Sequence, residues 1–147
     1  MPALHTYDYA VLRVVPRVDR GEFVNAGVIL SCSATRWLKA VVRLDPVRVR
    51  MLDPAADLDM IGRALAAIER VCAGDAAAGE IARLPVRQRF HWLAAPRSTI
   101  IQTSPVHTGE CEDLDAALAA LVRRLVDVPT PDGPMPNART PHGLGPG

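Results

Sequence analysis

Residues 7–44 carry the hydrophobic patterns of β-strands, either apolar on both faces, as in 7–15, or alternating with a period of two, as in 37–44. Three such segments, 7–15, 22–32 and 37–44, are separated by short turns. Short connections favour antiparallel neighbours, so the pattern predicts a three-strand meander. Gly27 interrupts the second segment, and a glycine inside a strand often marks a β-bulge or a close backbone approach. The alternation in that segment predicts one continuous apolar face, made by Val24, Ala26, Val28 and Leu30.

Apolar residues at helical spacing follow in two later segments. The first predicted helix, 59–72, begins after a capping Asp57 or Asp59 and is closed by Gly74. The second, 114–126, is capped by Asp113. These are the two main helices that the pattern predicts.

The remaining segments carry weaker patterns. Two Asp-Pro pairs, at 45–46 and 53–54, bracket a predicted loop. A short helical piece is predicted over 76–84, and 88–95 fits more than one structure. Residues 98–104 predict a fourth strand that ends at Pro105.

Together the elements predict an α+β fold in a single domain, residues 1–128. An antiparallel sheet of about four strands, the N-terminal meander plus one later strand, is covered on one face by the two main helices. The chain has 147 residues and is 49% hydrophobic, so it can bury a core. Residues 129–147 hold six prolines and four glycines and predict a disordered tail, with a docking role as the alternative.

Charge and cysteine usage narrow the function classes. The net charge of +1 argues against a protein that coats nucleic acid without sequence preference. The three widely spaced cysteines form no CxxC pair, so we expect them to be buried apolar residues in a reducing cytoplasm. Neither a secretory signal nor an apolar run of about eighteen residues is evident, so no membrane association is predicted.

Polar residues in and beside the first two strands form one candidate site. The loop from Arg17 to Glu22 can present arginines to a phosphate or carboxylate, or it can be a solvated hairpin loop with local ion pairs. Asn25 lies inside an apolar strand, where its amide needs hydrogen-bond partners. It can bond the backbone across a bulge at Gly27, or it can contact a ligand.

A second polar block lies about seventy residues later in the chain. Arg97, Ser98 and Thr99 suit either an anion or the capping of sheet ends. Gln102 and Ser104 lie two residues apart and therefore share a face of the predicted fourth strand. This polar stripe indicates either a solvent-exposed face of the sheet or the wall of a pocket. His107, on the loop expected after that strand, is the histidine best suited to proton transfer.

Several familiar chemistries have no motif here. The sequence lacks HxH, HExxH and spaced Asp/His clusters, so neither a metal site nor a cofactor is predicted. It also lacks GxGxxG and GxxxxGK[ST]. Cys111 and His107 are four residues apart and would be neighbours on a helix, but Pro105 and Gly109 indicate a loop instead.

Two long blocks, YDYAVLRVVPRVDRGEFVNAGVIL and RFHWLAAPRSTIIQTSPVHTG, resemble the bacterial domain-of-unknown-function family 3037 over residues 5–126. The resemblance implies a small cytoplasmic protein with no established activity. It also implies a partner protein, because members of the family that the chain resembles are often encoded beside proteins with a HipA-like kinase fold. The polar positions of the family carry over as hypothetical ligand-binding residues: Arg13, Arg20, Glu22, Asn25, Arg97, Ser98, Gln102 and Ser104.

Three functional hypotheses follow. The first is an interaction or regulatory module that binds a partner protein, with a kinase-fold protein as one candidate. The second is a domain that binds a phosphorylated ligand or nucleic acid through Arg13, Arg17, Arg20 and Arg97. The third is an enzyme with Glu22 or His107 as general base. The structural hypothesis for a site is that the fourth strand lies beside the first hairpin and brings the two polar blocks together. The interaction module also predicts an apolar patch on a sheet edge or helix face.

Overall fold

The computed structural model describes residues 3–129. The predicted tail therefore lies outside the described residues, apart from Pro129. The strands are β1 (His5–Val14), β2 (Val24–Cys32), β3 (Trp37–Val42), β4 (Ile101–Thr103) and β5 (His107–Cys111). The helices are α1 (Pro46–Leu52), α2 (Leu58–Ala73), α3 (Val86–Ala94) and α4 (Leu114–Leu125). An α+β fold with the predicted N-terminal meander is confirmed.

The sheet is antiparallel and is organised around β1. Its order is β3-β2-β1-β4, and β5 pairs with the same edge of β1 as β4 does. Thr103 of β4 pairs with Leu12, whereas His107 of β5 pairs with Tyr9. Residues 104–106 separate the two strands, so β4 and β5 together act as one edge strand with a break in its middle.

A β-bulge at Gly27 reverses the faces of β2. Leu12 pairs with Gly27 and Arg13 pairs with Asn25, so Ala26 is the extra residue. Val24 and Ala26 therefore belong to one core, whereas Val28 and Leu30 belong to the other. The bulge was indicated by the sequence, but the single continuous apolar face predicted for this strand is wrong.

Helices cover both faces of the sheet, not one face as predicted. Ile61 and Leu65 of α2 pack with Leu12 and Val14, in a core that α3 completes with Phe90 and Leu93. On the opposite face, α4 packs on β2 through an apolar stripe at helical spacing. That second core contains Val28, Leu30, Cys32, Leu114, Leu118, Leu121 and Val122.

The main helix ends follow the predicted capping chemistry. The Asp57 carboxylate accepts a hydrogen bond from the Met60 amide at 3.0 Å, and Asp113 accepts one from the Ala116 amide at 3.1 Å. Gly74 ends α2 in the left-handed conformation with φ of 73°. No helix within residues 3–129 is long and apolar enough to cross a membrane.

Other segments differ from their predicted form. Residues 46–52 are α1, because Asp45 caps the helix and Pro46 is preorganised for its first turn. Short 3₁₀ turns, Ala76–Ala78 and Ile81–Arg83, replace the predicted helical piece. The ambiguous 88–95 segment lies mostly in α3. The fourth strand, β4, is shorter than the predicted 98–104, and His107 lies in strand β5 instead of a loop.

The bulge makes Gly27 a stability determinant. A Cβ at this position would lie 2.6 Å from the Val41 carbonyl oxygen, which is backbone and cannot rotate away. We expect Gly27→Ala to destabilise the fold by about 2–3 kcal/mol in urea unfolding. Gly62→Ala is the matched control, since a Cβ there meets open space in α2. It should stabilise by about 0.5–1 kcal/mol. Equal effects of the two changes would contradict the register at the bulge.

Candidate functional site

An open apolar cleft lies between α2, α3 and the segment that leads into β4. Its volume is about 720 Å³, within the range of small-molecule and peptide sites. The cleft is lined by Val18, Met60, Ile61, Ala64, Ala67, Ile68, Val71, Ala78, Trp92, Leu93, Arg97, Ser98, Thr99, Ile100 and Ile101. Only one of these side chains is charged, so the cleft can hold an apolar body with one polar anchor point.

Large apolar side chains are exposed at this cleft. Trp92 is 44% exposed, Met60 38% and Val18 41%. Between Met60 and Val71 the α2 wall carries the small side chains of Ala64 and Ala67. A contiguous exposed apolar surface of this kind is typical of binding sites on soluble proteins.

Arg97 lies at the cleft and also holds the end of α3. Its guanidinium group donates hydrogen bonds to the carbonyl oxygens of Trp92 and Leu93, in the last turn of the helix. It also stacks on the Trp92 ring, with its central carbon 4.4 Å from the ring centroid. The cation therefore compensates the partial negative charge of the helix C-terminus. Of the two roles predicted for this segment, the structure shows a capping contact, at a helix end instead of a sheet end.

The two polar blocks meet in the sheet, but only in part. Arg13 in β1 pairs with Asn25 of β2 on one side and with Gln102 of β4 on the other. Directly paired residues share a face, so these three side chains form a row across the sheet. The neighbours of Arg13, Leu12 and Val14, belong to the α2 core, so the row faces the α4 side. Arg97 and Ser98, by contrast, line the cleft on the α2 side. The structure does not gather the eight residues into one pocket.

Asn25 connects the sheet to the end of α4. Its side-chain amide donates to the Leu125 carbonyl oxygen at 3.0 Å. The next carbonyl, of Val126, accepts a hydrogen bond from Arg48 at 3.2 Å. The last carbonyls of a helix lack partners within the helix, so these two side chains satisfy groups that would otherwise be unpaired. Asn25 thus bonds a backbone group, as one of the two alternatives predicted. The group belongs to the end of α4, however, and does not lie across the bulge.

The arginines of the first block point to separate partners. The Arg13 guanidinium lies over the Phe23 ring at 4.1 Å, a cation–π contact. Arg17 pairs with Asp19, and Arg20 pairs with Glu22 in the same exposed loop. The hydrogen bond that Arg20 donates to the Glu22 carboxylate raises the pKa of Arg20. The loop therefore has the local ion pairs of a solvated hairpin connection, one of its two predicted forms.

Ser104 holds the broken edge strand against β1. Its hydroxyl accepts a hydrogen bond from the Val11 amide at 2.8 Å and donates to the Pro105 carbonyl at 2.9 Å. Its own amide donates to the Val11 carbonyl at 2.9 Å. The side chain thus continues the ladder where Pro105 interrupts it. Gln102, the other polar residue of this stripe, donates to the Thr99 carbonyl within its own turn.

The proposed catalytic groups do not converge. His107 pairs with Tyr9, and its ring lies 5.3 Å from the Tyr9 ring. Glu22 lies beyond Val24, which pairs with Val14. The five residue steps along β1 from Tyr9 to Val14 span about 17 Å. Cys111 and His107 are four residues apart in β5, about 13 Å, so they are not neighbours as they would be on a helix.

Sequence reasoning missed the α2 wall of the cleft and the contribution of Arg89. The Arg89 guanidinium donates to the carbonyls of Leu84, Val71 and Cys72, which ties α3 to the end of α2. No local pattern marks this contact. The sequence did carry a signal for the cleft, because α2 is apolar over a wider arc than its core stripe of Ile61 and Leu65 requires.

Comparison with known families gives a match. The family described as "Protein of unknown function (DUF3037)" matches residues 9–126. No curated protein and no solved structure matches the chain. The matched span contains both polar blocks, α2, α3 and the cleft.

A pair of serine substitutions separates scaffold from cleft. Ser104→Ala leaves the buried Val11 amide without a partner, so we expect a loss of about 1–3 kcal/mol in the free energy of unfolding. Ser98→Ala changes an exposed hydroxyl at the cleft and should alter stability by less than about 0.5 kcal/mol. Urea unfolding of both variants measures the difference. A neutral Ser104→Ala would show that the hydroxyl does not hold the edge strand.

Thiol labelling tests the environments of the cysteines. Burial raises the pKa of the Cys72 thiol to about 12, so at pH 8 the thiol is almost entirely in its unreactive protonated form. Cys111 is only half-buried, although its pKa is also raised by burial. We expect a thiol reagent to modify Cys111 first and Cys72 only on unfolding, as read by peptide mass mapping. Early labelling of Cys72 would contradict the packing of α2.

Proposed function

This chain belongs to the DUF3037 family, and we propose that it is a cytoplasmic, non-enzymatic interaction module that binds a partner protein in the apolar cleft. The observation that carries the proposal is an open cavity of about 720 Å³ whose lining is apolar except for one cation and two hydroxyls. A surface of this composition is stabilised when an apolar segment removes it from water.

The residue types at the cleft support a protein partner. Tryptophan, arginine and methionine are enriched at protein interfaces, and the first two supply many binding hot spots. Trp92 and Arg97 are already stacked on each other, so their side chains are ordered before binding. Met60 also lines the cleft, and its flexible side chain can adapt its shape to a partner.

The chemistry of the lining favours binding over catalysis. Ser98 and Thr99 supply hydroxyls, but no carboxylate or imidazole lines the cleft to activate them. The Thr99 hydroxyl donates to the Ile101 carbonyl, so it serves the turn before β4. Among residues 3–129, no group of three or more histidine, cysteine or acidic side chains is placed to hold a metal ion.

The alternative of an arginine cluster for phosphate or nucleic acid has less support. Arg17 and Arg20 are neutralised by carboxylates of their own loop. Arg13 lies on the α4 side of the sheet, whereas Arg97 lines the cleft on the α2 side. The partner class that the family resemblance favours is a kinase-fold protein, and the proposal keeps that identity as its first candidate.

Site-specific cross-linking in the native host tests the proposal. A photoreactive amino acid at position 67 lies in the cleft, whereas the same group at the exposed neighbouring position 66 does not. We expect position 67 to give a protein adduct that position 66 does not give. Mass spectrometry of the adduct identifies the partner.

Calorimetry with the purified partner completes the test. Ala67→Glu places a charge in the cleft and should weaken binding by at least about tenfold, the scale of an interface hot spot. Ala66→Glu makes the same change at an exposed position of the same helix, outside the cleft, and should leave the affinity within about twofold. No adduct specific to position 67, or a partner that tolerates Ala67→Glu, would contradict the proposal.

A further inference from the structure

The shape of the cleft limits what the partner can insert, if the proposed function holds. The α2 wall runs from Met60 to Val71. Eleven helical steps correspond to about 16 Å, or three turns. The opposite side is formed by Trp92 and the stretch 97–101. The occupant is therefore elongated and lies along α2.

The α2 wall favours a helix over an extended strand. Every backbone amide and carbonyl removed from water needs a hydrogen-bond partner. The α2 wall offers only side chains, because its backbone groups are bonded within the helix. An extended segment against this wall would leave backbone groups unpaired, whereas a helix satisfies them internally.

The middle of the α2 wall allows a helix to approach closely. Ala64 and Ala67 present only methyl groups to the groove, which Met60 and Trp92 also line. Large side chains of an incoming helix fit such a groove at an interaxial distance of about 8–10 Å. Aliphatic anchors spaced one turn apart on the partner would fill it.

Charge complementarity fixes one further property of the occupant. Arg97 is the one charged side chain in the lining of the cleft. Two of the five N–H groups of its guanidinium donate to the Trp92 and Leu93 carbonyls, and the other N–H groups make no side-chain hydrogen bond within residues 3–129. A carboxylate is the group that best accepts from them.

We infer that the partner inserts an amphipathic α-helix of about three turns, whose apolar face packs on Ala64 and Ala67 and whose acidic side chain pairs with Arg97. This inference rests on the proposed function and specifies the chemistry of the segment that the cleft receives.

Selection from a displayed library of random peptides of about 16 residues tests the inference, because that length exceeds three helical turns. The full chain serves as bait, and the Ala67→Glu protein removes peptides that bind elsewhere. We expect enriched sequences with apolar residues at positions i, i+3 or i+4, and i+7, and a shared Asp or Glu. Circular dichroism should show that these peptides become helical on binding.

A charge exchange tests the contact with Arg97. Arg97→Glu should weaken the selected peptide by about tenfold, and replacing the acidic residue of the peptide by lysine should restore binding to this variant but not to the wild type. The double exchange separates the pairing from any effect of Arg97 on α3. Arg87→Glu makes the same charge change at an exposed α3 position outside the cleft and should leave affinity unchanged.

The outcomes distinguish the inference from the proposed function. Cleft-dependent peptides that bind as extended chains, or that ignore the Arg97 exchange, overturn the inference and leave the proposed function standing. No peptide sensitive to Ala67→Glu overturns both. In a third arm of the experiment, dodecanoate is titrated into the protein. Binding of dodecanoate that depends on Arg97, with no peptide binding, would show that the site holds a small amphiphile and would exclude the helix.

Discussion

The fold depends on satisfying the backbone carbonyls at helix C-termini, which are left unpaired by helix geometry itself. Side chains from outside the helix do this at three helices. Arg89 bonds the end of α2, Arg97 the end of α3, and Asn25 the end of α4. Each contact supplies the missing hydrogen bonds, and those of Arg89 and Asn25 also fix one element against another. The polar residues of the two sequence blocks are thus largely scaffold, with Ser104 doing the same for the broken edge strand.

Local patterns predicted the parts of the fold that local physics determines. The meander, the caps of α2 and α4 and the irregularity at Gly27 are all determined by residues close in sequence. The placement of helices on both faces was not predicted, although β1 carries apolar residues on both of its faces. The reversal at the bulge changes which apolar residues share a core, and alternation alone cannot show it.

The candidate site was harder to predict because a buried polar residue has two explanations. It can contact a ligand, or it can bond a distant backbone group, and sequence spacing does not separate them. Asn25 and Leu125 are a hundred residues apart, so their hydrogen bond leaves no local signal. The cleft arises differently, since β4 is only three residues long and the stretch before it passes α2 without covering it. The part of α2 that stays exposed is apolar, and this surface is the basis of the proposed function.

Amide hydrogen exchange of the Asn25→Leu protein tests the scaffold role most directly. The substitution keeps the size of the side chain but removes the donor to the Leu125 carbonyl. The account predicts faster exchange in the last turn of α4, while protection in α2 and α3 stays as in the wild type. Unchanged protection in α4, or a loss confined to the cleft helices, would contradict it.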